Sequence, residues 1–361
     1  VYPITQRELL VDGAERPEEA EQAAMDFAAL DALKYKGGKW GGKFLRAPDI
    51  FFTILEKGKG KLVRLGDIAE VRRGFTTGAN DFFYLEPTGQ PAPEGLMHVR
   101  NGAGWEGYLE AEFLKPVIKS PREIKTIRVR PKDLRYRVLM CHKSKDELRR
   151  DGQTHALAYI EWGEKQGYHK RPTCRSRPRW WEVPDERGNT FWGKELRERI
   201  AVFASGKPMY ADCRLYLAEV NHCLQGLLNS TVVILLSEAT ARQYGGGGGP
   251  RTFMVYEVKG QLLPNSSSLT ATQSRRLEEA FEGLYKREIK SVFEELGLPK
   301  PNRDYSNIHP EDVSLDRVLP DRRALDEVVF EALGLTEEEQ LAVYRAVVEM
   351  VKNRLMKARS V

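Results

Sequence analysis

The sequence of 361 residues predicts an α+β fold: a region of mixed short strands carrying one long buried helix, followed by a helical C-terminal tail. Three observations predict it. From Leu62 to about residue 265, short alternating runs are separated by Gly and Pro, the pattern of short strands. Residues 220–244 are apolar-rich over helical length and end at a run of five glycines, 245–249. Beyond residue 266, apolar side chains return every three or four positions. The implied organisation is a connecting region over 1–61, a mixed domain over 62–265 and a helical region over 266–361.

Taken in order, 2–10 reads as a strand, 17–33 as an Ala/Glu-rich helix, and 34–43 as a Gly/Lys loop around Trp40. Ala47-Pro48-Asp49 opens a helix through Leu55, ended by Lys57-Gly58-Lys59-Gly60. A short helix is expected over 154–166 and a final strand over 252–258. Leu277, Phe281, Leu284, Tyr285, Val292 and Leu296 define a helix stopped by Gly297 and Pro299. Another helix, 325–333, closes at Gly334. Thr336 and Glu339 form a capping box for the last, whose apolar face is Tyr344, Val347, Val348, Val351 and Leu355.

With 41% hydrophobic and 30% charged residues and a mean hydropathy of −0.50, the composition is that of a globular protein of two or three domains. No apolar run reaches the ~18 residues of a membrane helix, so no membrane partner is expected. The first apolar run is short and is followed by Glu and Asp, unlike a signal peptide. Val as first residue reads as a fragment or a processed chain. Four scattered cysteines without a CxxC pair argue against disulfide and zinc frameworks and imply a reducing, cytoplasmic setting.

The net charge of +5 is unevenly spread. Between Lys115 and Trp181 there are 19 Lys and Arg against 7 Asp and Glu, a local +12 that leaves −7 for the rest. Within that block Ile127-Arg128-Val129-Arg130 and Leu134-Arg135-Tyr136-Arg137-Val138-Leu139 alternate, so one face is basic while the other is free to be buried. Such a stripe is either the footprint of a nucleic-acid backbone or a solvated face balanced by acidic residues elsewhere.

Catalytic signatures are missing from the sequence. There is no Pro-Pro dipeptide, no Walker-type loop and no GxGxxG opening a helix after a strand. The six histidines lack metal spacing. Asp49, Glu56 and Lys59 do not have nuclease spacing, and Glu257-Val258-Lys259 lacks a partner strand. Recognition chemistry is present. The segment 72–80 (Arg-Arg-Gly-Phe-Thr-Thr-Gly-Ala-Asn) packs cations, hydroxyls and an amide between glycines, suited to phosphates or base edges. The alternative is a glycine turn between strands. Arg175, Arg177 and Arg179 precede Trp180-Trp181, which either join them at the surface or anchor the loop in the core.

Several runs resemble a known family: 44–52 (FLRAPDIFF), 65–74 (LGDIAEVRRG), 77–85 (TGANDFFYL), 113–121 (FLKPVIKSP), 177–181 (RPRWW) and 227–231 (LLNST). Together with the poly-Gly turn before residues 252–258 and the tail from 325 to 361, they look like the region after the catalytic domain in adenine-specific DNA methyltransferases. These are the enzymes with TaqI-like specificity domains, type IIG restriction-modification proteins among them. The resemblance implies a DNA target-recognition half. S-adenosylmethionine and the Asn-Pro-Pro-Tyr motif would lie in a separate catalytic domain, absent from this chain, so no catalytic residue is carried over. The implied partners are duplex DNA and a methyltransferase domain or subunit. A docking or specificity subunit and a nuclease are the alternatives. The physical candidates for DNA contact are Arg72, Arg73, Thr76, Thr77, Asn80, Lys119, Lys125, Arg128, Arg175, Arg177 and Arg179.

Overall fold

The computed structural model describes residues 46–240, 242–243 and 251–357. The expected strand at 2–10, helix at 17–33, loop at 34–43, the start of the 44–52 run, the glycine run 245–249 and residues 358–361 lie outside them. Fourteen strands occur among the described residues: β1 (Leu62–Arg64), β2 (Arg72–Arg73), β3 (Tyr84–Pro87), β4 (Leu96–Asn101), β5 (Glu106–Glu110), β6 (Leu114–Ile118), β7 (Arg137–Leu139), β8 (Arg187–Gly193), β9 (Glu195–Leu196), β10 (Phe203–Ala211), β11 (Leu215–Ala218), β12 (Arg242–Gln243), β13 (Arg251–Thr252) and β14 (Leu262–Pro264). The α-helices are α1 (Asp49–Lys57), α2 (Leu65–Ile68), α3 (Asn80–Phe83), α4 (Lys145–Arg150), α5 (Thr154–Lys165), α6 (Pro172–Arg175), α7 (His222–Leu228), α8 (Thr231–Thr240), α9 (Val255–Lys259), α10 (Ala271–Lys286), α11 (Val292–Glu295), α12 (Pro320–Leu333) and α13 (Glu337–Lys357). The fold is the expected mixture of short strands with a helical C-terminal tail.

Nine strands form one sheet in the order β2-β11-β8-β10-β6-β7-β3-β4-β5. Its pairs are antiparallel except β10 with β6. Neighbouring residues of a strand face opposite ways, so β6 and β10 serve two cores. Val117 and Tyr210 face one built on Phe82, Phe83, Tyr159 and Trp180. Ile118 and Ala211 face the other, built on α7, α8 and the helical tail.

The apolar run 220–244 is two helices rather than one. α7 and α8 meet at 56° around Asn229 and Ser230. The bend is held from outside. Asn229 donates to the carbonyls of Val202 and Gln225 and accepts from the Val202 amide. Arg322 of α12 donates to the Asn229 carbonyl at the end of α7. Asp326 of α12 accepts the Thr231 amide at 2.7 Å and its hydroxyl at 2.5 Å, capping α8 with a carboxylate 95 residues away.

The expected strand 252–258 is instead the short helix α9 after a two-residue β13. Glu257 accepts from the Met254 amide at 2.8 Å, while Phe253 and Val258 are buried and Met254 and Tyr256 are exposed. That is the burial of a helical turn, not of an alternating strand. The expected helix 277–296 breaks after Lys286, where Arg287 becomes extended and pairs with Asp321 and Glu295. α11 then ends at Gly297, whose φ is +81°. α12 closes at left-handed Gly334, and the Thr336–Glu339 capping box starts α13 as expected. α12 packs on α10, and α13 on α8 and α1.

Candidate nucleic-acid interface

β2 is an edge strand of the large sheet and carries Arg72 and Arg73, paired with β11. Arg73 is exposed and its Nε donates to the Cys213 carbonyl at 3.2 Å. Arg72 is half-buried and donates through Nη2 to the Arg187 carbonyl at 3.3 Å. Gly74 then brings the chain against the 211–214 turn: a Cβ there would lie 2.4 Å from the carbonyl oxygens of Ala211 and Asp212. The Cys213 amide returns a bond to the Phe75 carbonyl.

In the loop that follows, Thr76 and Asn80 are exposed but Thr77 is buried. The Thr77 hydroxyl donates to Asn80 Oδ1 at 2.5 Å and accepts from the Ala79 amide. Thr77 is thus internal to the loop, a correction to its placement at a binding surface. Asn80 itself stays exposed. Arg177 reaches across 101 residues to donate to the Thr76 carbonyl at 2.5 Å, its guanidinium 5.5 Å from the Phe83 ring. Burial pushes its pKa down, and among the described residues it forms no ion pair. Cys174 donates to the Thr77 carbonyl, and Thr173 packs on Gly78. The structure therefore brings the 72–80 loop and the Arg175–Arg179 segment together. Trp180 and Trp181 are buried anchors, bonded to Glu164 and to the Lys143 carbonyl.

Beside this loop the Tyr84 side chain, from the start of β3, reaches the turn after β10 and Lys119 just past β6. Tyr84 donates to buried Asp212, which holds the phenol well above its usual range together with burial, the larger cause. Lys119 lies 4.0 Å from the Tyr136 ring and 5.0 Å from Tyr84. Arg214 is exposed, with Nε 4.0 Å from Asp212.

Ion pairing sorts the basic block. Arg130, Arg135, Lys143, Lys145, Arg149, Arg150 and Arg179 each pair with a carboxylate. Lys119, Lys125, Arg128, Arg175 and Arg177 have no ion pair among the described residues and keep a net field. Arg175 is exposed near the 72–80 loop. Lys125 and Arg128 are exposed on the other side of the sheet end, beside Tyr285 and Ile289. Buried Ile127 and Val129 alternate with exposed Arg128 and Arg130, the two-faced pattern expected, although only an isolated bridge to Ala204 pairs this stretch.

Sequence reasoning missed Lys194, Arg197, Arg199 and Arg214, which line one groove, with Lys194 beside Arg73. Lys194 is half-buried, 5.5 Å from the Tyr216 ring; burial first, and the neighbouring Arg73 second, lower its pKa. These residues lie outside the basic block, and Glu195 and Glu198 offset two of the three cations at 194–199 in the sequence. No signal in a charge count could have found them. Among the described residues no group of three or more His, Cys, Asp or Glu could hold a metal ion, and no single helix is long and apolar enough to cross a membrane.

The fold is a mixed α/β one with a basic, loop-built edge. Residues 37–191 match the family model described as type II methyltransferase M.Eco57I, C-terminal domain. No curated protein matches. Among solved structures, the type IIG restriction endonuclease BpuSI is similar at 12% identity and a TM-score of 0.49, covering 94% of this chain and 35% of its own. The type IIL restriction-modification enzyme MmeI, solved in complex with DNA, is similar at 13% identity and a TM-score of 0.44, covering 78% of this chain and 36% of its own. The chain thus spans about a third of the length of each. The family-model match is of the kind the sequence resemblance implied, a C-terminal region of a type II methyltransferase.

Proposed function

We propose that this chain is the DNA sequence-recognition module of an adenine-specific, restriction-modification type methyltransferase. It positions duplex DNA for a catalytic domain that binds S-adenosylmethionine, flips the adenine and transfers the methyl group; the chain itself does no chemistry. The observation that carries this reading is the joining of the 72–80 loop to the 171–179 segment, which brings the stretch with exposed Thr76 and Asn80 against the stretch with exposed Arg175, while exposed Arg73 opens the same loop. Arg73 and Asn80 are the base-reading candidates, because guanidinium and amide groups make paired hydrogen bonds to guanine and adenine. Thr77 and Arg177 hold the loop from inside. Lys119, Lys125 and Arg128 are phosphate contacts in this reading.

The test is binding of Arg73→Ala and Asn80→Ala variants to duplexes differing at single base pairs. Relaxed preference at one position, with a loss of about 1–3 kcal/mol of discrimination, supports base reading. Uniform weakening makes the residue a phosphate contact. Unchanged binding in both variants, with the fold intact by circular dichroism, refutes a recognition role for the loop.

A further inference from the structure

A groove of about 530 Å³ opens beside Lys194, between the loop at Ser120–Ile124, the segment 193–203 and Arg214. Its lining contains Arg122, Lys194, Arg197, Arg199 and Arg214 against Glu195 and Glu198. None of the five cations forms an ion pair with either glutamate among the described residues; Arg214 reaches Asp212 at 4.0 Å, and the other four have no ion pair among the described residues. Glu198 accepts instead from the Tyr305 hydroxyl at 2.9 Å. Five cations facing one concavity repel one another, and a rigid groove focuses their field.

The rim is fixed. Arg199 donates to the carbonyls of Ile289, Ile124 and Lys125, which immobilises its charge without neutralising it. The fully buried Arg354 of α13 donates to the Leu196 and Arg197 carbonyls while bound to Glu238. The C-terminal helix therefore holds the rim in position. At the mouth, Lys194 stands beside Arg73, two cations kept together with no ion pair for either among the described residues. The groove is continuous with the loop surface through the Lys194 amide bond to the Arg214 carbonyl and the Cys213 turn.

We infer that this groove seats the phosphodiester backbone of the DNA that flanks the segment read by the 72–80 loop. The ligand is a chain of phosphates, because the charge is spread along the groove and the recognising groups are guanidinium and ammonium rather than a shaped apolar pocket. The inference rests on the proposed DNA-recognition reading.

Its test is the variant Arg122→Gln/Arg197→Gln/Arg214→Gln in the full 361-residue chain. All three side chains are exposed, so the fold is kept. Arg199 is left in place because it ties three carbonyls. Each lost phosphate contact lowers the slope of log K against log salt by about 0.9, so the triple variant loses about 2.7. Between 50 and 200 mM salt the unmodified chain should therefore lose about 40-fold more affinity than the variant. Discrimination among single-base-pair variants of the duplex should be unchanged. An unchanged slope in the triple variant, with Arg73→Ala still weakening binding, overturns the groove and leaves the recognition reading standing. Lost discrimination at one base pair would also overturn it, by making the groove a base reader. If the unmodified chain binds no duplex at all, the recognition reading beneath it falls.

Discussion

Arg177→Met separates a loop clamp from a DNA ligand. Arg177 donates to the Thr76 carbonyl at 2.5 Å, a charge-assisted bond, and its contact with the Trp180 carbonyl at 3.5 Å adds little. Losing a hydrogen bond to a charged group costs about 1.5–3 kcal/mol. The cation over the Phe83 ring adds about 0.5–1 kcal/mol, while methionine retains the apolar stem. Closure of the 74–80 loop should weaken by about 2–4 kcal/mol, which at 1.36 kcal/mol per decade is about 30- to 1000-fold. The readout is native-state amide exchange at Ala79, whose N–H bonds to Thr77, and at Phe82, whose N–H bonds to the Ala79 carbonyl. Both should exchange faster by that factor, while the salt slope of DNA binding stays at the unmodified value. Unchanged exchange together with a slope lowered by about 0.9 would refute the clamp and make Arg177 a phosphate ligand.

Two further outcomes follow from buried and paired carboxylates. Asp326→Ala leaves the Thr231 amide and hydroxyl unpaired inside the core and should cost about 3–5 kcal/mol, seen as a lower urea midpoint by circular dichroism; Asp326→Asn, which keeps an acceptor, should lose less. Glu86 is held below the ordinary carboxylate value of 4.5, first by its hydrogen bond to Arg135 and also by Arg100. Its contribution is therefore present above that value and lost as pH falls through the lowered one, and Glu86→Gln should flatten the acid limb of the thermal midpoint by well under about 1 kcal/mol.

Local signals carried much of the fold. The helix after Pro48, the helix at Thr154, the Gly334 stop and the Thr336–Glu339 box each depend on residues within one or two turns, and each appears where the sequence places it. What the sequence hid was set at long range. The bend between α7 and α8 had a local hint in Asn229-Ser230-Thr231, but the groups that hold it, Arg322 and Asp326, come from more than 90 residues away. Phe253 to Val258 carries both a two-residue and a three-residue apolar spacing. The Glu257 cap and the burial of Phe253 and Val258 select the helical one.

The candidate interface shows why a charge count both overstates and misses such a surface. Seven of the 19 cations between Lys115 and Trp181 sit on carboxylates, two of them on partners outside that block: Arg135 on Glu86, and Arg179 on Glu182. Those cations contribute little field at a distance beyond their pairs. Lys194, Arg197 and Arg199 alternate with Glu195 and Glu198 in the chain and leave a local charge of only +1. Yet the fold adds Arg122 and Arg214 to the same lining, where five cations face two glutamates, so the groove retains positive charge. What a polyanion meets is set by which partners the fold gives each cation. That is why the loop at Arg73 and the groove at Lys194 form one surface although 121 residues separate them in the sequence.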